Sequence, residues 1–525
     1  MLRILGSPKR VCQGLTRRDT LRVGGLGFAG LALDQILALQ DRSRRSAAGD
    51  SMAGVTPVAA ASATSPAGSP SGSVNSLGSS FGRAKSVILI HLYGAPSQLE
   101  WVDPKPDAPR EIRGELGVIP SKLSGCQVGE LFPRFAQVLD RCTVLRSLTH
   151  PYPIHGVAYA LTGTPAIDVA MELAPRDPRH WPFFGSAVAY VDEQRRPAFP
   201  SVPSNIALPF RFSSKRVGEV PRAGPYGGFL GSAYDPLFTD FVGEATKSLR
   251  KTLRDMEYTG NDPYIGCSDD ARFVVPAATA LPAEVTLDRI RDRRSLLEQL
   301  NAARQPLERF AATRQLSRHQ QAALSLIESP RLAEALDLRR EDPAVRDSYG
   351  PTLFGKSCLA ARRLVEAGAR VVSVFWDEFG LAGMGWDTHW NHYPRMKVEL
   401  CPGLDHGWQG LIADLDQRGL LDETLVVCTS EHGRTPKLNS AVGAGRDHWS
   451  QVYSTVIAGG GTARGRIVGK SDRHAAEVAD LPLSPKDLLA TMYHLLGIDP
   501  HLRIHDPTGR PQPLVDGRVI TEALS

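Results

Sequence analysis

Five short apolar segments of the chain have the pattern of buried β-strands. They are residues 86–92, 142–148, 370–376, 424–429 and 452–458. Apolar side chains stand at successive positions in them, and not only at alternate ones, which predicts strands covered on both faces. The first segment ends at Tyr93-Gly94-Ala95-Pro96, a turn sequence that fits a chain leaving a sheet.

Helical patterns alternate with these strands in the last third of the chain. One helix is predicted from about Gly355 to Gly368, where a glycine can form a left-handed cap. A second carries Leu404, Trp408, Leu411, Ile412 and Leu415 on one face. A third begins at Ser-Pro-Lys-Asp, residues 484–487, which offers a capping hydroxyl and a proline in the first turn. This rhythm predicts the α/β class, with a mostly parallel sheet and helices on both faces.

Residues 285–345 differ from the rest of the chain because they are rich in arginine, leucine and glutamine. Apolar residues recur there at helical spacing, as in Leu296, Leu300 and Leu307. We therefore predict a helical insertion that covers part of the sheet.

Residues 1–45 have the pattern of an export signal. The twin arginine Arg17-Arg18 precedes a run of glycine, alanine and leucine over residues 23–33, as in twin-arginine signals. This run is too short and too rich in glycine to span a bilayer comfortably. A cytosolic amphipathic helix is the alternative. The pattern predicts export by the twin-arginine route to the periplasm, the cell envelope or the medium, with a membrane tether if the signal is not cleaved.

Residues 46–84 are predicted to form a disordered linker, which leaves residues 85–525 for the folded α/β domain. Of residues 46–80, 26 of 35 are Ser, Ala, Gly or Pro, and such a stretch cannot bury a core.

Charge follows the same division. The chain has a formal net charge of +5, but residues 1–85 hold 11 Lys/Arg against 4 Asp/Glu, which leaves 50 against 52 in the remainder. A nearly neutral folded part gives no indication of nucleic-acid binding.

The seven cysteines form no CxxC pair. Because twin-arginine substrates generally fold before export, we expect free buried thiols more than a disulfide framework.

Three segments crowd carboxylates and imidazoles together. They read Trp-Asp-Thr-His at 386–389, Ser-Glu-His-Gly-Arg at 430–434 and Arg-Asp-His-Trp at 446–449. Two of them follow predicted strands, and ligand sites of open α/β sheets lie beyond the carboxyl ends of the strands. We therefore predict a metal-binding pocket whose ligands are Asp387, His389, His432, Asp447 and His448.

The chemistry of these side chains allows more than one role. Carboxylate with imidazole suits divalent metals such as Zn, Mn or Fe, and it also suits general acid–base catalysis. A divalent cation (Zn, Mn, Ca or Fe) is the expected cofactor, and no organic cofactor is expected. Arg434 and Arg446 add guanidinium groups suited to binding a phosphate or sulfate substrate. Ion pairing with Glu431 or Asp447 is their competing role.

Longer motifs resemble those of one known family. They are GWDTH at 385–389, SEHGRTP at 430–436, GRDHW at 445–449, IAGGG at 457–461 and HDPTGRPQPLVDG at 505–517. On these motifs the chain is similar to domain-of-unknown-function family 1501, a secreted group that looks like a branch of the alkaline phosphatase and sulfatase superfamily. The resemblance extends from about Lys85 to Ser525 and implies an alkaline phosphatase- or sulfatase-like fold.

The resemblance also implies roles for individual residues. Glu431-His432 occupies the position of an acid and imidazole pair after a late strand, and His448 matches a further metal-binding histidine. Asp387 and His389 match an earlier aspartate and histidine. Two residues expected from the superfamily are missing. Tyr93-Gly94-Ala95-Pro96 stands where an aspartate is expected, and residues 153–156, Pro-Ile-His-Gly, stand where a Ser, Thr or Cys nucleophile is expected.

Two classes of function follow. The first is an exported, metal-assisted hydrolase of phosphate, sulfate or related esters, in which His155 or a metal-bound water replaces the missing nucleophile and Glu431 is the second catalytic residue. The second is a non-catalytic envelope protein that binds an anionic ester or polysaccharide through the same cleft. The missing nucleophile favours binding, and the retained acid and imidazole set favours catalysis.

Overall fold

The structure, a computed structural model, describes residues 78–195, 202–217, 221–253, 256–275, 330–381 and 385–525. The predicted signal at 1–45, residues 46–77 of the predicted linker and residues 285–329 of the predicted insertion lie outside the described residues. Packing begins slightly before the predicted domain boundary at 85. Ser80 Oγ lies 3.0 Å from His494 Nε2, and Ala84 is buried.

A sheet of eight strands forms the centre of the described fold. Its strands are β1 Ser86–Leu92, β2 Cys142–Leu148, β3 Asn205–Leu208, β4 Leu237–Phe238, β5 Val371–Trp376, β6 Thr424–Thr429, β7 Tyr453–Ala458 and β8 Arg466–Val468. Their order across the sheet is β8-β2-β7-β6-β1-β5-β3-β4. Neighbours are parallel except where β7 pairs with β6 and β2. The predicted mostly parallel α/β sheet is confirmed.

All five predicted strands are present, but the last of them, β7, runs against its neighbours. Residues 430–452, which link it to β6, contain no helix. A parallel pair needs a long crossover connection, whereas an antiparallel pair does not. The start of β7 therefore lies at the same sheet edge as the end of β6.

Helices cover both faces of the sheet, as predicted. The α-helices of six or more residues in the described ranges are α1 Val157–Thr162, α2 Phe184–Arg195, α3 Pro330–Leu336, α4 Pro343–Ser348, α5 Leu353–Glu366, α6 Cys401–Gln417 and α7 Pro485–Leu495. One apolar core joins α5 and α6 to Ile88 and Val374, and a second joins α2 and α7 to Val87 and Val427. Because successive strand residues point to opposite faces, continuous apolar runs fill both cores.

Shorter elements connect these parts. The helical turns are Arg110–Arg113, Phe135–Arg141, Val169–Glu172, Gly228–Leu230, Ser232–Tyr234, Leu338–Arg340, His392–Arg395, Met396–Leu400 (a π-helical turn), Leu421–Glu423 and Thr521–Ala523. The two-stranded pairs are Val118–Pro120 with Gln127–Gly129, Arg216–Val217 with Gly380–Leu381, Asp240–Val242 with Arg272–Val274, Ser248–Leu253 with Met256–Asn261, Gly433–Arg434 with His448–Trp449, Lys470–Ser471 with Val478–Asp480 and Arg503–His505 with Pro511–Pro513.

The predicted helix ends have the expected local chemistry. Thr352 Oγ1 accepts a hydrogen bond from Gly355 N at 3.1 Å at the start of α5, and Gly368 lies beyond its end with a φ of 108°. Ser484 and Asp487 form a reciprocal capping box at the start of α7. Such caps satisfy backbone groups that the helix itself leaves unpaired.

The described cysteines, 126, 142, 267, 358, 401 and 428, are all buried and free. In the ranges that the structure describes, no helix is both long enough and apolar enough to span a bilayer.

Candidate metal centre

Four imidazoles and two carboxylates meet beyond the carboxyl-terminal ends of the parallel strands. The residues are His155, Asp387, His389, Glu431, His432 and His448, and we call them the edge cluster. Glu431 and His432 directly follow β6, and His448 shortly precedes β7. The reversed direction of β7 is what brings His448 to this edge. The structure thus brings together four of the five predicted metal ligands and both predicted catalytic residues.

Gly94 allows two loops of the edge cluster to approach β1. It follows β1 with a φ of 96°, and its N–H donates to Glu431 Oε1 at 2.8 Å. A Cβ at this position would lie 2.3 Å from the backbone nitrogen of Asp387. Only glycine combines this conformation with so close an approach, so Gly94 sets the position of the Asp387 loop.

Three imidazoles of the edge cluster are oriented in the same way. Nδ1 of His389 lies 2.6 Å from Asp447 Oδ1, Nδ1 of His432 lies 2.7 Å from the Gly433 carbonyl oxygen, and Nδ1 of His448 lies 3.3 Å from the Pro153 carbonyl oxygen. An oxygen acceptor at Nδ1 fixes the proton there and leaves the Nε2 lone pair available.

The Asp387 carboxylate lies among these Nε2 atoms. Its Oδ1 is 3.0 Å from His389 Nε2 and 3.3 Å from His448 Nε2, and its Oδ2 is 3.2 Å from His155 Nε2. Arg434 Nη2 lies 2.6 Å from Oδ1. Burial opposes ionisation, but Arg434 and His155 hold the pKa of Asp387 well below its usual range. Asp387 is therefore an ionised carboxylate.

His155 bridges the two carboxylates of the edge cluster. Its Nδ1 is 2.9 Å from Glu431 Oε1, and its Nε2 faces Asp387. Burial alone would lower the pKa of His155, but the two carboxylates raise it to about 9. His155 also offers a ring nitrogen within 4.8 Å of ligand atoms of His432 and His448.

Glu431 is fully buried and serves as the anchor for His155. Its Oε2 lies 3.2 Å from Nε2 of His91, a strand residue of β1. Burial opposes ionisation, yet the imidazoles of His155 and His91 hold the pKa of Glu431 well below its usual range. The Glu431 carbonyl oxygen accepts a hydrogen bond from His150 Nε2 at 2.6 Å. Burial lowers the pKa of His150 to about 4, so this histidine is a neutral donor.

The two predicted substrate-binding arginines are placed differently from that expectation. Both are fully buried. Besides contacting Asp387, Arg434 donates from Nε to the Ala95 carbonyl oxygen at 3.1 Å. Arg446 donates from Nε to Glu100 Oε1 at 3.1 Å and from Nη2 to the Ile112 carbonyl oxygen at 2.7 Å. Both guanidinium groups are thus bound within the protein, and among the described residues Arg446 pairs with Glu100 and not with Asp447 or Glu431. Substrate binding by the two arginines stays a prediction.

Asp447, predicted as a metal ligand, lies outside the ligand groups that the structure brings together. Its side chain is 56% exposed, and it accepts the hydrogen bond from His389. A carboxylate in this place can orient an imidazole that binds a metal. Metal binding by Asp447 itself stays a prediction.

Three residues around the site carry no motif that predicts a role there, namely His91, His150 and Glu100. His91 carries a detectable signal, since an imidazole interrupts the apolar run of β1 one position before its end. His150 and Glu100 stand in loops after β2 and β1, where neither periodicity nor spacing distinguishes them.

The fold and the edge cluster together define the class of this chain. It is an α/β protein with a mostly parallel sheet and a histidine and carboxylate cluster at the carboxyl edge of that sheet. Residues 84–524 match the model of the family described as "Protein of unknown function (DUF1501)", and the chain belongs to that family. The family predicted from the sequence motifs is thereby confirmed.

Solved structures with a related arrangement are distant in sequence. Ps i-CgsB is 11% identical at a TM-score of 0.36, with 79% of this chain and 72% of that chain covered. The PsFucS1 sulfatase from Pseudoalteromonas sp. is 11% identical at a TM-score of 0.34, with 81% of this chain and 70% of that chain covered. The phosphonate monoester hydrolase SpPMH from Silicibacter pomeroyi is 11% identical at a TM-score of 0.33, with 83% of this chain and 75% of that chain covered. No curated protein matches the chain.

Proposed function

We propose that this chain is an exported, metal-dependent hydrolase of sulfate, phosphate or related esters. The observation that carries the proposal is the common orientation of His389, His432 and His448. Each has Nδ1 beside an oxygen acceptor and Nε2 directed towards the edge cluster. Metal-ligating histidines have this arrangement because the acceptor fixes the tautomer.

The donor set fits a divalent cation. Among the described residues, His432 Nε2 is fully buried and has no hydrogen-bond partner. Burial holds the pKa of His432 well below its usual range, so this nitrogen offers a lone pair to a metal. Asp387, His389 and His448 offer ligand atoms within 4.8 Å of one another, as do His155, His432 and His448.

The two groups share His448, and one imidazole nitrogen binds one ion. We therefore assign a single centre to Asp387, His389, His432 and His448. Three nitrogens and one carboxylate favour Zn, Mn or Fe over Ca, which prefers oxygen ligands. A divalent cation held there would supply a Lewis acid for an ester oxygen.

The remaining residues of the edge cluster, His155 and Glu431, are suited to proton transfer to the leaving oxygen. His155 is protonated at neutral pH and lies between Glu431 and Asp387, so it lacks the free lone pair that a nucleophile needs. It is suited to hold a proton for the leaving oxygen, with Glu431 as its positioning residue. Among the described residues, the hydrogen bonds of the edge-cluster imidazoles include no Ser, Thr or Cys side chain. We therefore infer that water attacks the ester.

Export is part of the same proposal and rests on Arg17-Arg18 and the short apolar run that follows. An esterase outside the cytoplasm would meet anionic esters of small molecules or of envelope polysaccharides. The non-catalytic alternative, binding of such a polymer by the same edge, differs from the hydrolase in only one measurable respect, which is turnover.

The experiment measures metal content and turnover together. The full chain is purified without added metal, its metal content is measured by mass spectrometry, and it is assayed with 4-nitrophenyl sulfate, 4-nitrophenyl phosphate and a 4-nitrophenyl phosphonate ester. We expect near-stoichiometric metal and hydrolysis of one of these esters, both lost in His432→Ala. Metal without turnover of any ester would favour the non-catalytic alternative, and absence of metal would refute the centre.

A further inference from the structure

A buried hydrogen bond holds the loop that carries two of the proposed metal ligands. Thr388 stands between Asp387 and His389, and its hydroxyl oxygen lies 2.8 Å from Nδ1 of His392. Thr388 is 1% exposed and His392 is fully buried. Breaking this bond would leave two buried polar atoms unpaired, which is costly. The bond therefore fixes the backbone of the loop at a defined place.

Further contacts lead from His392 to the segment that carries His448. His392 Nε2 lies 3.5 Å from Glu100 Oε2, and Glu100 Oε1 accepts a hydrogen bond from Arg446 Nε at 3.1 Å. The backbone N–H of Arg446 donates to the Thr388 carbonyl oxygen at 3.0 Å. Thr388, His392, Glu100 and Arg446 thus form a closed circuit, which we call the anchor network. None of the four is more than 2% exposed.

The anchor network joins the two ligand segments of the proposed centre. Thr388 is bound through its hydroxyl and its carbonyl oxygen, and Arg446 lies two residues before His448. Nε2 of His389 and Nε2 of His448 lie 3.1 Å apart across the junction. Ligand atoms hold a useful geometry only when surrounding bonds lock the residues that carry them. Among the described residues, the anchor network supplies such bonds on both sides of the junction.

We propose that Thr388 and His392 are positioning residues of the metal centre, which act through the loop backbone on Asp387 and His389. The inference rests on the proposed function, because it assigns to that centre the residues that hold its ligands in place. Neither residue binds the cation itself. Loss of an outer partner of this kind typically lowers metal affinity by about 10- to 100-fold.

The test titrates Zn²⁺ into the metal-free full chain in competition with a chelator of known affinity. Thr388→Val removes the hydroxyl and keeps the volume of the side chain. We expect it to weaken Zn²⁺ binding by about 10- to 100-fold. Thr388→Ser restores the hydroxyl and should recover most of the affinity. The absorption spectrum of the Co²⁺-loaded protein reports ligand geometry, so it should shift in Thr388→Val and return in Thr388→Ser.

Thr491→Val is the matched control on helix α7. Thr491 is also 1% exposed, and its hydroxyl donates to the Asp487 carbonyl oxygen at 2.7 Å and accepts from Ile520 N at 2.8 Å. This variant should lower the melting temperature and leave Zn²⁺ affinity unchanged.

A second pair of variants changes the other end of the bond. The amide of His392→Asn can replace Nδ1 as the partner of Thr388, whereas His392→Leu offers no polar atom. The leucine variant should therefore bind Zn²⁺ more weakly than the asparagine variant. If Thr388→Val did not fold, this pair would decide, and equal Zn²⁺ affinity in both variants would overturn the positioning role.

The outcomes separate the two proposals. If the wild type bound no Zn²⁺, the centre and the role of the anchor network would both be refuted. If the wild type bound Zn²⁺ and Thr388→Val bound it equally tightly, the centre would stand and the positioning role would be overturned. Equal weakening in Thr388→Ser or in Thr491→Val would also overturn it, since the loss would then follow general destabilisation.

Discussion

Nε2 of His389 and Nε2 of His448 lie 3.1 Å apart, and both lie within 3.3 Å of the same oxygen of Asp387. Two imidazole lone pairs at this distance repel each other unless a proton or a cation lies between them. Since each ring also has an oxygen acceptor at Nδ1, a cation satisfies both rings with the protons already in place. This relationship leads to the first prediction.

His448→Ala should lose the bound metal and melt at a lower temperature than the wild type. A ligand that binds only the folded state stabilises it by RT ln(1 + [L]/Kd), where [L] is the free ligand concentration, so adding chelator should abolish most of the difference in melting temperature. His505→Ala, at an exposed position, is the control and should keep both metal and melting temperature. If the wild type contained no metal and its melting temperature did not change with chelator, these histidines would have structural roles only.

Arg446→Met should destabilise the fold by about 3–5 kcal/mol, because it leaves the buried Glu100 carboxylate without its partner. The double variant Glu100→Leu/Arg446→Met should recover much of this loss, since no buried charge then remains unpaired. Urea unfolding of the three proteins measures both effects. If Arg446→Met instead kept full stability and weakened sulfate or phosphate binding, Arg446 would be a substrate ligand after all.

The same ion pair predicts a pH dependence. Burial opposes ionisation of Glu100, but Arg446 and His392 lower its pKa to about 2. The folded-state pKa lies below the unfolded value, so the stabilisation is fully present above about pH 4.5 and is lost as pH falls through about 2. The difference in unfolding free energy between wild type and Glu100→Gln should therefore be about 3 kcal/mol near neutral pH and shrink over this window. A difference that stays constant down to pH 2 would contradict the assignment.

Periodicity predicted five of the eight strands of the sheet and the helices of the last third of the chain, because continuous apolar runs and capping residues are local properties of the sequence. The direction of β7 was not predictable from its own composition. Only the folded chain shows that β7 pairs antiparallel with β6, and this direction explains why His448 reaches the edge cluster.

Within the site, motif spacing identified the metal-ligand candidates but not the partners of the arginines. Glu100 is distant in sequence from Arg446, and only the folded chain shows that they pair. Asp447 adjoins His448 in sequence, yet its side chain turns to His389 and lies in solvent. Residues that are adjacent in a motif can thus differ in role when the backbone directs their side chains to opposite sides.

Replacement of Arg17 and Arg18 by lysine should retain the protein in the cytoplasm, because the twin-arginine route requires the arginine pair. The substitutions lie outside residues 84–524, which match the family, so the melting temperature of the retained protein should equal that of the wild type. Fractionation followed by immunoblotting measures the location. Unchanged export of the double lysine variant would exclude this route.

Two glycines with similar positive φ values differ in their surroundings. Gly94 and Gly368 have φ values of 96° and 108°, so alanine at either position costs about 1–2 kcal/mol of backbone strain. A Cβ at Gly368 would meet no atom within 4 Å, whereas one at Gly94 would lie 2.3 Å from Asp387 N. Gly368→Ala should therefore lose only this modest stability and keep its metal.

Gly94→Ala should lose more stability and also lose metal, because the Asp387 loop must move away from β1. Metal analysis and urea unfolding of both variants test this difference. If the two variants lost equal stability and kept equal metal, the close contact at Gly94 would not position Asp387. Because alanine is strained by a positive φ at both positions, any loss of metal confined to Gly94→Ala reports on the position of the Asp387 loop and not on general destabilisation.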